Sequence, residues 1–374
     1  MNPIEAGTGR QRAVVDYVEP SVDGGVFPVK HRQGEPFTVV AHVLADGHDQ
    51  VDVVVAYRRV GEPHWRETAL HEQGNDVFSG TFFPESTGLY EFRVVAWIDP
   101  FRNWHAGFIK KSDSGDSKIG VELDIGAGLI RAAAGRSSGA EADQLKAWAS
   151  FIGDHTRDLL QKVALTRDPQ LYHRVHCHPD RSQQTVSSSH LLLVERERAF
   201  FSTWYEFFPR SCSGESSRHG TFRDAVRNFP EIARMGFDIV YFPPIHPIGL
   251  VHRKGRNNAL EANTDDVGSP WAIGSRLGGH KSIHPDLGTF EDFRFLLGEA
   301  RQYGLEVALD IAFQCSPDHP YVREHPEWFK WRPDGSVQYA ENPPKKYQDI
   351  LPFNFETEDW RGLWVELKSI FEFW

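Results

Sequence analysis

The sequence predicts a multidomain chain: an immunoglobulin-like β-sandwich over residues 1–120, a small helical domain over 121–195, and an incomplete (β/α)8 barrel over 196–374. Three observations support this order. Alternating apolar residues fill the first part, apolar residues at helical spacing fill the second, and strands alternate with helices in the third. A chain of 374 residues, 40% of them hydrophobic, is long enough for two or three domains with packed cores.

Residues 1–120 are predicted to form short antiparallel strands. Val51, Val53, Val55 and Tyr57 recur at every second position, which is the period of a strand, and residues 90–98 repeat this pattern. Asp-Gly and Gly-Asn turn sequences separate such runs. Several short strands at this spacing favour an antiparallel sandwich.

Residues 121–195 change to a helical pattern. Leu145, Trp148, Ile152, Leu159 and Val163 fall near the spacing of one helix face. This stretch lies between a β-rich region and a strand–helix region, and it predicts a small helical unit.

From residue 196 onward, two segments are alike. Gly220–Asp224 and Gly288–Asp292 share the pattern Gly-Thr-Phe-x-Asp, in which threonine caps a helix and the later carboxylate completes a capping box. Gly236 and Gly304 each follow the threonine by 15 residues and fit the left-handed position that ends a helix. Near-continuous apolar strands beside such helices are typical of a parallel sheet. These strands are predicted at residues 200–207, 238–242 and 306–313.

The third part is predicted to contain the first three β/α units of a TIM-type catalytic barrel, with a long loop over 315–355. Three units cannot close a barrel of eight strands. We therefore expect the chain to be the N-terminal part of a longer protein, truncated before strand four. The last helix has an apolar face made of Leu363, Trp364, Leu367, Ile370, Phe371 and Trp374.

Composition excludes several functions. The chain has 41 Lys and Arg against 52 Asp and Glu, and its net charge of −11 disfavours general nucleic-acid binding. No apolar run approaches the length of a membrane span, and the first residues lack a secretory signal, so we expect no membrane association. Three widely spaced cysteines are typical of a reducing cytoplasm, which is where we place the protein.

One dense group of metal-ligating residue types stands out in the helical part, at His173, His176, Cys177 and His178. A metal ion needs three or four converging ligands, and this spacing alone rarely provides them. The sequence therefore predicts no metal centre at this group.

Candidate binding residues follow the predicted barrel strands, because barrel active sites lie at the carboxyl ends of strands. The cations and amides of residues 252–258 suit an anion or sugar hydroxyls, but equally a solvated basic loop. Asp310 and Gln314 suit sugar hydroxyls, although Asp310 is as well suited to bonding loop amides. The Lys, Asn and Tyr donors of residues 341–349 suit a phosphate or form a solvated loop tip.

At these loops the sequence resembles the α-1,4-glucan:maltose-1-phosphate maltosyltransferases, a branch of the α-amylase superfamily. Ordinary amylases carry Asn-His after the third-strand Asp, where this chain has Gln314-Cys315, as is typical of the maltosyltransferase branch. The matching stretches are FPPIHPIG (242–249), HRKGRNN (252–258), DDVG (265–268), PWAIGS (270–275), GGH (278–280), SIHP (282–285), QCSPDHP (314–320) and ENPPKKYQD (341–349).

The resemblance implies retaining transfer of maltose from α-maltose 1-phosphate to the non-reducing end of an α-1,4-glucan, with release of phosphate. The family's nucleophile and acid/base come after the fourth strand, beyond Trp374, so no catalytic residue is assigned here and the chain alone is expected to be inactive. Four residues are implied to contact the maltosyl unit: Lys254, Asn258, Gln314 and Asp349. Four are implied to contact or line the phosphate pocket: Asn342, Lys345, Tyr347 and Ser269.

The family also forms homodimers, so the resemblance implies a homodimer that needs no metal or cofactor. Two alternatives remain. One is another glycoside hydrolase of the α-amylase superfamily, against which the Lys-Lys-Tyr loop argues because a hydrolase has no phosphate to hold. The other is a non-catalytic glucan-binding or dimerising fragment, which the missing nucleophile favours.

Overall fold

The computed structural model describes residues 9–216 and 218–374. It divides into two compact units, one ending at Phe200 and the other beginning at Phe201. No helix among the described residues combines the length and the apolar character needed to cross a bilayer.

The described part of the first unit is built on one sheet of nine strands. The strands are β1 Ala13–Glu19, β2 Val29–Arg32, β3 Phe37–Ala45, β4 Val51–Arg59, β5 Arg66–Gly74, β6 Val77–Phe82, β7 Gly88–Ile98, β8 Thr185–Val186 and β9 His190–Glu195. The order across the sheet is β1-β3-β6-β5-β4-β7-β9-β2, with β8 paired to β7, and every pairing is antiparallel except that of β2 with β9.

The sheet curls around an apolar core. Phe37 of β3 and Phe92 of β7 have ring centroids 5.3 Å apart, although β6, β5 and β4 separate their strands in the sheet. Val53 and Val55, at alternate positions of β4, are 3% and 0% exposed and belong to the same core. The predicted strands at 51–57 and 90–98 are therefore present as β4 and β7, and their alternation points one face inward.

Five helices complete the first unit, and Leu145 and Ile152 are buried among them. The chain switches from strand to helix near residue 100 rather than near 120, because Asp99 caps α1 and Pro100 occupies its first turn. Residues 185–195, predicted within the helical part, return to the sheet as β8 and β9. The helices are α1 Pro100–Asp113, α2 Ile119–Arg136, α3 Gly139–Gly153, α4 Leu159–Thr166 and α5 Pro169–His176.

The second unit begins with a three-stranded parallel sheet in the order β10-β11-β12. Its strands are β10 Trp204–Glu206, β11 Ile239–Phe242 and β12 Glu306–Leu309, and its helices are α6 Phe222–Ala225, α7 Phe229–Arg234 and α8 Phe290–Gln302. Each strand is shorter than predicted. β11 ends at Pro243-Pro244, because proline has no N–H to donate to a neighbouring strand.

The remaining segment, predicted as a loop over 315–355, contains its own elements: β13 Gln314–Cys315, α9 Pro320–Glu324, β14 Ala340–Asn342, β15 Lys345–Tyr347 and β16 Leu351–Pro352. It leads into α10 Trp360–Phe373. Of the apolar face predicted for this last helix, Leu363, Leu367 and Ile370 are buried, whereas Trp364 and Phe371 are 50% and 57% exposed.

Both predicted capping boxes are present. Thr221 accepts from the N–H of Asp224, whose carboxylate accepts from the N–H of Thr221, and Thr289 and Asp292 repeat the arrangement at α8. Gly236 and Gly304 have φ of 87° and 69°, as the helix-ending position requires.

Replacing Thr289 by alanine is expected to lower the free energy of unfolding by about 1 kcal/mol, because the N–H of Asp292 loses its acceptor. Urea denaturation followed by circular dichroism measures the change. Thr289→Ser keeps the hydroxyl and should retain most of the stability. Equal destabilisation by both substitutions would show that the methyl group, not the cap, matters.

Candidate functional site

Two long connections at the carboxyl edge of the parallel sheet carry all eight predicted binding residues. One follows β11 over residues 243–289 and the other follows β12 over residues 310–359. β11 and β12 are parallel neighbours, so both connections leave from the same edge. The first contains Lys254, Asn258 and Ser269, and the second contains Gln314, Asn342, Lys345, Tyr347 and Asp349.

Arg253 holds the first connection together from within. Its guanidinium donates to the carbonyl oxygens of Gly249, Asp266 and Ile248 at 2.8, 3.0 and 3.0 Å. One side chain thus fastens residues on both sides of the loop tip. The adjacent Lys254 is only 6% exposed, so its ammonium is held close to the protein interior.

The tip of this loop has an uncommon backbone conformation. His252, Asn257 and Asn258 have φ of 54°, 55° and 63°, in the left-handed region that asparagine tolerates better than most residues. Asn258 is exposed, and its side chain makes no hydrogen bond with the described residues. Its amide group is therefore available to a ligand.

Asp349, in the second connection, interacts electrostatically with residues of the first connection. It is 2% exposed, and its Oδ1 has no hydrogen-bond partner within the described ranges. Burial raises the pKa of Asp349, while its backbone and the positive charges of Lys254 and His252 oppose that rise. Lys254 and Asp349 are thus close enough to interact. One buried carboxylate oxygen is left to accept from a donor such as a sugar hydroxyl.

β14 and β15 form a hairpin that brings three predicted residues to one face. Asn342 pairs directly with Lys345, and Tyr347 lies two residues further along β15. Directly paired residues and residues two apart share a face of a hairpin. Lys346 pairs with Glu341 on the opposite face. An amide, an ammonium and a phenol hydroxyl therefore stand together, and all three can donate to an anion.

Gln314 is oriented by a hydrogen-bond network. Its Nε2 donates to the carbonyl oxygen of Trp271 at 3.0 Å, which leaves its Oε1 as an acceptor. Trp271 Nε1 donates to Asp310 Oδ2 at 2.9 Å. Burial, followed by a hydrogen bond to Asp310, raises the pKa of Tyr241 to about 12. Asp310 Oδ2 is therefore engaged with a side chain of the first connection, while the two roles considered for Asp310, clamping sugar hydroxyls and bonding loop amides, stay predictions.

Replacing Trp271 by phenylalanine is expected to lower the free energy of unfolding by about 1 kcal/mol, because Asp310 Oδ2 loses a half-buried donor. Urea denaturation measures this change in the free energy of unfolding. Trp204→Phe is the matched control: Trp204 Nε1 donates to Ser202, but the residue is 52% exposed, so water can replace the bond. If both substitutions lower the free energy of unfolding equally, the hydrogen bond from Trp271 to Asp310 does not contribute to stability in the expected way.

A chain of buried histidines lies in the same unit. His319 Nδ1 accepts from the N–H of Tyr321 at 3.0 Å, so its Nε2 carries the proton and donates to His280 Nδ1 at 3.1 Å. His280 Nε2 in turn donates to the carbonyl oxygen of Ala312 at 2.9 Å. The His246 ring centroid lies 5.6 Å from that of His280. This arrangement requires His280 and His319 to be neutral.

The structure thus relates Lys254 to Asp349, and it groups Asn342, Lys345 and Tyr347. Gln314 stands with Trp271, and the N–H of Ala272 donates to the Ser269 carbonyl at 3.0 Å. Asn258 joins none of these groups through a side-chain hydrogen bond in the described part of the chain. Sequence reasoning missed Arg253 as the anchor of the loop and Trp271 as the support of Gln314. Neither residue has a local sequence signal, because the groups that it bonds are brought next to it only when the chain folds.

A protein-family model described as α-1,4-glucan:maltose-1-phosphate maltosyltransferase, domain N/S, matches residues 11–196. The α-1,4-glucan:maltose-1-phosphate maltosyltransferase of Methylacidiphilum infernorum is 54% identical over 98% of this chain and 54% of its own length. The protein of the same name from Chlorobaculum tepidum is 48% identical over the same shares. The chain spans about half the length of the curated relatives it matches. A crystal structure of an α-amylase from Lactobacillus plantarum is 31% identical, with a TM-score of 0.37 over 46% of this chain and 36% of its own, too low to establish a shared fold.

Proposed function

We propose, since the chain belongs to the α-1,4-glucan:maltose-1-phosphate maltosyltransferase family, that it carries the donor-binding part of an enzyme that transfers maltosyl units. The donor is α-maltose 1-phosphate, the acceptor is the non-reducing end of an α-1,4-glucan, and phosphate is released with retention of configuration. A retaining mechanism needs a nucleophile and an acid/base carboxyl group. The proposal assigns both to the part of the relatives that this chain does not span.

The hairpin formed by β14 and β15 is the observation that carries this proposal. Its Asn342, Lys345 and Tyr347 side chains share one face, where their donors can surround a phosphate group. A phosphate that is held by such donors leaves the sugar more readily, because the charge that develops on it is stabilised. A hydrolase of the same superfamily has no phosphate to bind and no need of this face.

The maltosyl unit is assigned to the other predicted residues. Asp349 Oδ1 and Gln314 Oε1 supply acceptors for sugar hydroxyls, and Lys254 and Asn258 supply donors. Ser269 lies beside the phosphate position in this assignment. The neighbouring Gly268 carbonyl accepts from Arg210 at 2.9 Å, which fixes the backbone there.

The finer architecture and setting are part of the same proposal. In this proposal the curled sheet of β1–β9 is an immunoglobulin-like sandwich, helices α1–α5 form a helical domain, and the second unit supplies the first three β/α units of a (β/α)8 barrel. The protein acts as a homodimer. A cytoplasmic setting is supported by its three free cysteines, of which only Cys177 is exposed.

The two hairpin lysines provide the test. Lys345→Ala should weaken binding of α-maltose 1-phosphate about tenfold, as the loss of one charge-assisted hydrogen bond predicts, and leave maltose binding unchanged. Lys346→Ala, on the opposite face, should change neither. Isothermal titration of the chain with both sugars measures the affinities. The proposal fails if Lys345→Ala weakens both sugars equally, or if Lys346→Ala has the same effect on the phosphate sugar.

A further inference from the structure

Three polar atoms from distant parts of the sequence converge in the first unit. Asp52 lies on β4, Asp99 lies between β7 and α1, and His176 is the last residue of α5. His176 Nδ1 is 3.6 Å from Asp99 Oδ2 and 3.9 Å from Asp52 Oδ2. All three atoms lie within 4.8 Å of one another.

All three atoms are buried and have no hydrogen-bond partner in the described part of the chain. Their separations of 3.6 and 3.9 Å exceed hydrogen-bonding distance, and a buried polar group without a partner is unfavourable. Asp99 is the most enclosed of the three, at 2% exposed. Three unsatisfied groups that face one point indicate that a further atom belongs between them.

The surrounding bonds fix this arrangement. Asp99 Oδ1 accepts from the N–H of Phe101 at 2.9 Å as the cap of α1, and Asp52 Oδ1 accepts from Arg102. Each carboxylate thus has one oxygen engaged and turns the other toward His176. The imidazole of His176 stacks on Tyr172, with ring centroids 5.8 Å apart and planes 12° from parallel.

We propose that Asp52 Oδ2, Asp99 Oδ2 and His176 Nδ1 bind a divalent transition-metal ion, with Zn²⁺ as the best match. Two carboxylate oxygens and one imidazole nitrogen are a donor set that Zn²⁺ accepts, whereas Mg²⁺ and Ca²⁺ prefer oxygen alone. Ligands of a tetrahedral Zn²⁺ ion stand roughly 3.4 Å apart, as bond lengths of about 2.0–2.1 Å require. Side-chain movements of a few tenths of an ångström would bring the His176 contacts to that spacing.

A cleft beside these atoms provides the fourth coordination position. It has a volume of about 270 Å³, and its lining includes Asp52, Trp97, Arg102, Tyr172 and His176. Water can enter a space of this size and complete the coordination sphere. Three protein ligands with one open position are the arrangement of zinc sites that remain accessible to small molecules.

The competing occupant is a proton. Asp99 raises the pKa of His176, Asp52 adds to that rise, and burial together with the positive charge of Arg102 opposes it. A protonated His176 would pair with Asp99 while Arg102 pairs with Asp52, and the group would be neutral without an ion.

This site differs from the group that the sequence singled out. The sequence groups His173, Cys177 and His178 with His176 by their close spacing, and it predicts no metal site there. Only His176 of that group faces the two carboxylates, which lie 124 and 77 residues earlier in the chain. The proposal therefore runs against the sequence-based expectation.

Zinc titration of the chelator-treated chain by calorimetry tests the proposal. We expect one ion per chain, with the affinity lowered at least tenfold in Asp99→Asn and in His176→Gln. Asparagine is also a good helix cap, so Asp99→Asn retains α1. Asp168→Asn is the matched control, because Asp168 caps α5 in the same way and lies outside the site. Zn²⁺ should raise the melting temperature of the wild type and Asp168→Asn but not of the two site variants.

Two outcomes would overturn the proposal. Absence of stoichiometric binding would leave His176 as a protonated partner of Asp99. Binding that survives both site substitutions would place the ion elsewhere. The buried group of His280, Cys315 and His319 is an unfavourable alternative, because all four ring nitrogens of its histidines are already engaged in hydrogen bonds with each other or with the backbone.

Discussion

Replacing Asp349 by asparagine is expected to weaken binding of α-maltose 1-phosphate by about 10- to 150-fold, equivalent to about 1.5–3 kcal/mol. The substitution retains the shape of the side chain but removes its negative charge. It replaces one carboxylate oxygen by an amide nitrogen, which cannot accept a hydrogen bond from a sugar hydroxyl. Maltose binding should weaken by the same factor, because the assigned contact is to the sugar and not to the phosphate.

The size of this effect follows from the burial of Asp349. Its Oδ1 is already removed from water and has no partner, so a ligand hydroxyl gains a hydrogen bond without displacing one. Burial also raises the pKa of Asp349. Affinity should therefore fall as the pH is lowered through this raised pKa, and Asp349→Asn should abolish that part of the pH dependence.

Asp334→Asn is the control for this substitution. Asp334 lies on the same connection, where its Oδ1 accepts from the backbone and side chain of Ser336 in a turn. It should leave both affinities unchanged. Isothermal titration between pH 5 and pH 8 measures all three proteins. Unchanged affinity in Asp349→Asn would remove Asp349 from the site, and a large loss of stability in that variant would indicate a structural role.

Local patterns in the sequence identified the elements that depend on neighbours in the chain. Alternation identified β4 and β7, and the Gly-Thr-Phe-x-Asp pattern identified the caps of α6 and α8. These patterns can be recognised because a helix cap forms its hydrogen bonds within three residues, and the alternation of a strand is visible in the sequence of that strand alone. The hairpin around Pro343-Pro344 was missed, since its strands are three residues each and lie in a segment predicted as a loop.

The rest of the site depends on contacts between distant residues. The carbonyls that Arg253 bonds are brought together by a loop that has no regular pattern. Trp271 reaches Asp310 across 39 residues, and Asp52 meets His176 across 124. No periodic pattern in the sequence predicts contacts between residues that lie so far apart in the chain. The resemblance to a family supplied the proposed binding residues, and the structure supplied their geometry: which lysine shares a face with Tyr347, and which atom of Gln314 is left to accept.

The second unit is expected to lose stability steeply as the pH falls from about 6.5 to 5. Burial lowers the pKa of His246 to about 4 and that of His319 to about 2, and it also lowers the pKa of His280. An unfolded histidine binds a proton near its ordinary pKa of about 6.5. Between these values the unfolded state holds more protons than the folded state, so lowering the pH favours unfolding.

Each histidine contributes up to about 1.4 kcal/mol per pH unit once the unfolded form is protonated, so two of them remove about 3 kcal/mol between pH 6.5 and pH 5. That loss is a large part of the about 5–15 kcal/mol that stabilises a typical domain. The effect is separable from acid unfolding through carboxylates. Arg218 holds the pKa of Asp224 far below its ordinary value, so the stability from that pair is lost only at much lower pH.

His246→Asn tests the assignment, because the asparagine amide can replace the imidazole N–H that donates to the Ser282 carbonyl at 3.0 Å. Urea denaturation followed by tryptophan fluorescence at pH 7, 6, 5.5 and 5 should show an average slope shallower by about 1 kcal/mol per pH unit in this variant. His71→Asn, at an exposed position of β5, should keep the wild-type slope. If stability is flat across this range, or if His246→Asn retains the full slope, the buried histidines are not the groups that take up protons on unfolding. The neutral chain of His319, His280 and Ala312 would then need another explanation, because protonating either ring places two hydrogen-bond donors opposite each other and breaks the bond between them.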